Sequence, residues 1–143
     1  MADTRVQLQA EDWIRRTWLL QQYGQSFTRR RLTLNAGGDF EFDAVSADNS
    51  IVADISTSGG KAGAGKLHKL RADMLFLIMA DAQRRIVVLT EHDMYEVCQE
   101  EKRNGRVPLD IEFVHAELPE DLASQLKEAR GIASDEMSPS WRK

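Results

Sequence analysis

The sequence predicts an α/β domain with a mixed central β-sheet flanked by helices. Three observations lead there: strand-type and helix-type periodicities alternate along the second half of the chain, two alternating runs lie back to back near residue 50, and the apolar content is enough for one core. Each connecting helix must return over the sheet to reach the next strand, which places helices on both faces. With 143 residues, 42% hydrophobic and 29% charged, the chain accommodates one domain and not two. We set that domain at 1–133 and expect a flexible tail at 134–143, which contains Pro139 and Trp141.

Over residues 6–23, Val6, Ala10, Trp13, Ile14, Trp18 and Gln21 recur three and four apart, a helical stripe capped by Asp3 or Thr4 and ended by Gly24. Residues 26–34 are β-branched and apolar around the basic run Arg29–Arg31 and read as a strand, followed by the turn Asn35-Ala-Gly-Gly38. FEFDAVS at 40–46 and IVADISTS at 51–58, joined by Ala47-Asp-Asn-Ser50, read as a hairpin. Strict alternation puts Phe40, Phe42 and Ala44 on one face of the first strand, with Glu41, Asp43 and Val45 on the other. On the second strand Ile51, Ala53 and Ile55 oppose Val52, Asp54 and Ser56.

A glycine-rich loop, 59–65, leads to a helix over 66–80, with Leu67, Leu70, Met74, Leu75, Leu77 and Ile78 at helical spacing and Lys66, Lys69 and Asp73 on its polar side. Residues 85–90 form a buried strand, 92–103 a helix ended by Asn104-Gly105, and 110–118 a further alternating strand. Pro119-Glu-Asp opens the last helix, with proline and acids in its first turn.

Composition narrows the functional classes. A net charge of −4 and a pI of about 5.4 make any nucleic-acid surface a local one. Candidates for such a surface are Arg29–Arg31 with Lys61, Lys66, Lys69 and Arg71. The lone Cys98 excludes an intrachain disulfide and reads as a buried small hydrophobe in a reducing compartment. The N-terminus lacks an apolar signal region, and MLFLIMA at 74–80 is too short to span a bilayer, so we expect a soluble, cytoplasmic protein with no membrane partner. His68, His92 and His115 have no ligand-spaced partner, which disfavours zinc, and no nucleophilic serine or cysteine motif is visible. Trp13 and Trp18 read as core.

The chemistry concentrates in the hairpin. Paired around a four-residue turn, Asp43 and Asp54 become cross-strand neighbours, and two carboxylates so close call for a shared proton or a cation. Hard oxygen ligands suit Mg²⁺, with Mn²⁺ the alternative.

The run GGDFEFDAVSADNSIVADISTSGGK, preceded by a helix and followed by a helix and a strand, resembles the core of the PD-(D/E)xK, or restriction endonuclease-like, superfamily over roughly residues 8–91. The resemblance implies Mg²⁺ bound by Asp43 and Asp54, the Ile55 carbonyl as a further ligand, and Glu11 as an added acid. It also implies metal-assisted phosphodiester hydrolysis of DNA or RNA. The position where that family carries its lysine is Ser56; Lys66, with Lys69 behind it, or Lys61 would then supply the migrated charge. Without one, the scaffold would be an inactive module for nucleic-acid or protein binding. Gly60 to Lys66 also fits P-loop spacing between a strand and a helix, although Leu67 stands where a Ser or Thr should hold Mg²⁺, so a nucleotide-binding protein is the second alternative. The chain allows a homodimer.

Overall fold

A computed structural model describes residues 5–59 and 64–137, with the side chains of Ala64 and of 131–137 outside the description. The chain folds as α1 (Arg5–Trp13), a π segment (Ile14–Trp18), α2 (Leu19–Tyr23), β1 (Phe27–Thr33), β2 (Asp39–Ser46), β3 (Ile51–Ser56), α3 (Ala64–Met79), β4 (Arg84–Leu89), α4 (His92–Arg103), β5 (Ile111–His115) and α5 (Glu120–Met137). The five strands form one mixed sheet in the order β1-β2-β3-β4-β5. β1 to β3 run antiparallel, and β4 and β5 continue parallel to β3.

This order decides where the helices lie. Two successive right-handed crossovers that step the same way across a sheet must place their helices on the same face. Accordingly, Leu70, Met74 and Leu77 of α3 and Met94 and Cys98 of α4 pack with Val45, Val52, Val87, Leu89 and Phe113. The opposite face carries Ala10, Ile14 and Leu19 of the N-terminal helices and Leu126 of α5, against Ala44, Ala53, Ile55, Ile86 and Val88. Trp13 and Trp18 lie partly buried against this second cluster. β4, covered on both faces, is apolar on both, as a central parallel strand must be.

The turns follow the residue chemistry. Gly24 and Gly105 take left-handed φ values of 69° and 73° and end α2 and α4. In the β2–β3 turn, Asn49 has a φ of 63°, and the Asp48 carboxylate accepts hydrogen bonds from the Ser50 N–H, the Ser50 hydroxyl and the Ser46 hydroxyl. α4 matches its expected bounds, while two strands are shorter than expected: β3 stops at Ser56 and β5 spans only Ile111–His115. α5 continues to Met137, past the Ser134 where a tail was expected; residues 138–143 lie outside the described ones. Among the described residues, no helix is long and apolar enough to cross a membrane.

Two irregularities correct the periodic reading. The β1–β2 register slips between the pairs Thr28↔Val45 and Arg30↔Phe42, so Asp43 and Ala44 together oppose Arg29 in a β-bulge. Strict alternation along 40–46 therefore fails: Phe42 and Val45 share the α3–α4 face and Ala44 turns to the other. The expected single N-terminal helix contains a π turn, closed by the Leu19 N–H on the Ile14 carbonyl.

Candidate metal and phosphate site

β2 and β3 are zipped at the turn end and open at the other. Their ladder pairs Val45 with Val52 and Ala44 with Ala53, and the next rung would join Asp43 to Asp54. The bulge falls there, and the Asp43 carboxylate takes over as acceptor for the Ile55 N–H, at 2.8 Å from Oδ2. The N–H and C=O of a strand residue lie along the same edge, so the Ile55 carbonyl also turns toward the gap beside β2.

Asp54, one rung below Ser56 on the α3–α4 face, is 6% exposed, and its Oδ2 has no hydrogen-bond partner. Burial, then the negative charges of Asp43 and Asp73, push its carboxyl up to about 8; the Asp43 backbone N–H and the Lys69 ammonium pull the other way. The site thus holds one carboxylate too many for its dielectric, which a proton or a cation relieves.

Asp54, Ser56, Lys66, Lys69, Asp73 and Met94 line a cavity of about 30 Å³. A space of that size takes one or two water-sized guests. A cation stripped of most of its water or one phosphate oxygen fits such a space; a nucleobase does not.

The three candidate lysines separate. Lys69 Nζ lies 3.2 Å from Asp73 Oδ2. Partial burial opposes its charge, but Asp73, Asp43 and Asp54 outweigh that and raise its pKa. Lys66 donates to the Gly59 carbonyl at 2.8 Å. Lys61 lies outside the described residues, as do 60–63 of the P-loop pattern. Asp73, which sequence spacing set merely on the polar side of α3, joins the acids: burial raises its pKa, and Lys69 lowers it less than burial lifts it. Its i,i+4 relation to Lys69 was the available signal.

Glu11 is buried in α1, where its carboxylate accepts from Arg29 Nη2 at 3.1 Å and Gln7 Nε2 at 3.2 Å; it does not line the cavity. Arg29 also approaches Glu41 at 3.7 Å, and Arg30 donates to the Ser46 carbonyl at 2.8 Å. Two members of the basic run thus serve the fold, and Arg71 is bridged to Glu101 at 3.0 Å. His92 and His115 come within 5.6 Å, ring centre to ring centre, beside Tyr95. Cys98 is buried, and burial pushes its thiol up to about 12, the behaviour of an inert apolar group.

The exit from β3 is pinned. The Thr90 N–H donates to the Ser56 carbonyl at 3.1 Å, and Arg130 of α5 donates to the Thr57 carbonyl and to Glu91.

The donor set meets a Mg²⁺ ion in part. Asp54 offers an unpartnered oxygen at the cavity, Ile55 a carbonyl on the adjoining edge, and Asp43, which does not line the cavity and accepts the Ile55 N–H on Oδ2, a carboxylate beside them, all hard oxygens. Among the described residues, no three acidic, histidine or cysteine side chains are already arranged around one point as metal ligands. A two-carboxylate set of this kind would leave the remaining positions of such an ion to water or substrate oxygens. Comparison with family models, curated proteins and solved structures finds no match to this chain.

Proposed function

We propose that the open end of the β2–β3 hairpin is the centre of a Mg²⁺-dependent phosphodiesterase acting on DNA or RNA. The observation that carries this reading is Asp54: a buried carboxylate with an orphan oxygen, facing a cavity that also holds Lys69 and coupled to Asp43. The element order α-β-β-β-α-β, with three antiparallel strands followed by a parallel β4, supports the restriction endonuclease-like arrangement that the resemblance implies.

Asp43, Asp54 and the Ile55 carbonyl would hold the ion, which when bound supplies charge neutralisation at a phosphate and a bound water of lowered pKa. Lys69 is the residue we assign to the charge absent at Ser56. Its ammonium, oriented by Asp73, is suited to hold an attacking water or a phosphate oxygen. Ser56 contributes a hydroxyl at the cavity wall. Lys66 and Lys69, at the start of α3, are the cations best placed to meet the flanking phosphate backbone.

The test is cleavage of single- and double-stranded DNA and RNA in Mg²⁺ or Mn²⁺. Activity is expected in the wild-type chain and absent in Asp54→Ala; activity that survives that substitution overturns the site. Nucleic acid bound but never cut would favour the inactive module. Stabilisation by ATP or GTP that disappears in Lys66→Ala would favour the nucleotide-binding alternative.

A further inference from the structure

The two irregularities of the fold meet. The π turn at Ile14–Trp18 lies in the helical layer, the bulge at Asp43–Ala44 lies in the sheet, and Arg15 joins them: its Nη1 donates to the Asp43 carbonyl at 3.1 Å. A bulge leaves a residue outside the ladder, and its backbone acceptor then needs another donor. Arg15 provides one from a side chain that is only 13% exposed, with Asp12 3.9 Å from its other nitrogen. On the far side of the same residue, the Asp43 carboxylate accepts the Ile55 N–H at 2.8 Å. A continuous line therefore runs from the π turn through Arg15 and Asp43 to the residue that follows Asp54.

An unbroken α-helix and an unbulged ladder are the default for these lengths, and both π turns and bulges recur where a side chain has to be re-aimed. We infer that Arg15 is a positioning residue of the acidic site: the π turn delivers its guanidinium to the bulged carbonyl, and that contact fixes the Asp43 carboxylate toward β3. The inference rests on Asp43 and Asp54 forming the functional site, but its structural half is testable alone.

The experiment compares the full chain with Arg15→Ala and Arg15→Lys by amide hydrogen exchange in NMR and by Mn²⁺ titration. In Arg15→Ala the Ile55 amide is expected to exchange at least about tenfold faster, while Val52 and Ala53, on the zipped rungs, keep their wild-type rates. Mn²⁺ affinity falls about tenfold, within the range known for residues that orient metal ligands. Arg15→Lys, which retains one donor, recovers part of both. Unchanged Ile55 exchange in Arg15→Ala overturns the inference, and so does an equal acceleration of Val52, Ala53 and Ile55, which would mean general loosening. If the wild-type chain binds no Mn²⁺, the metal reading fails, and Ile55 exchange still decides whether Arg15 holds the bulge.

Discussion

Asp48 and Asp54 stand at the two ends of one short hairpin and behave as opposites. Asp48, in the turn, accepts hydrogen bonds from Ser50 and Ser46, and these hold its carboxyl down at about 2. Asp54, at the open end, loses its water to burial and faces Asp43 and Asp73, so its carboxyl is pushed up to about 8. The same side chain is a satisfied structural lock at one end and a carboxyl with an unpartnered oxygen at the other. Buried polar groups left without partners destabilise a fold, and a proton or the cation proposed above would relieve the cost at Asp54.

The largest expected effect is on chemistry. Removing the Asp54 carboxylate should cost about a thousandfold in cleavage rate, roughly 4 kcal/mol of transition-state stabilisation, read from single-turnover cleavage by Asp54→Asn. The next effect is on stability and has the opposite sign. Because the folded-state carboxyl titrates near 8 and the unfolded one near 3.8, the proton-linked stability is intact below about pH 4 and is lost as the pH rises to about 8. Asp54→Asn should therefore melt higher than wild type at pH 8, by several degrees, and the gap should close toward pH 4. A wild-type melting temperature equal to that of Asp54→Asn throughout this range would show that Asp54 is not held as described.

Lys69→Gln and Lys66→Gln sharpen the comparison within the cavity. Lys69 interacts with all three acids while Lys66 donates to the Gly59 carbonyl. Cleavage should fall about a hundredfold in Lys69→Gln and several-fold less in Lys66→Gln; the reverse ranking would reassign the missing charge. The smallest effect is at the turn. Asp48→Asn should lower the melting temperature by about 2–4 °C at neutral pH, and the difference should shrink as the pH falls toward 2, where the wild-type carboxyl is also protonated.

What the sequence disclosed follows from what is local. The element order, the hairpin turn, the helix ends at Gly24 and Gly105 and the nearness of Asp43 to Asp54 all rest on periodicity or turn chemistry, and these act over a few residues. The bulge and the π turn leave no such signature, because each is a register shift set by packing against another element. The bulge therefore misdirected the faces of Ala44 and Val45, although Asp54 and Ser56 fell where alternation puts them. Ranking Lys66 against Lys69 required the rotation of α3 about its axis, which spacing within the helix does not define; Lys61 lies outside the described residues. The same rotation brings Asp73 to the acids. Glu11 was legible as an early-helix acid, but its partner Arg29 is 18 positions away on β1.

The most direct measurement of the central claim is thermal melting with and without Mg²⁺ or Mn²⁺ at pH 8, where Asp54 is costly to ionise without a counter-ion. The open end of the hairpin as a cation site predicts stabilisation by either ion in the wild-type chain and none in Asp54→Asn. Equal shifts in the two proteins, or no shift in either, would contradict it.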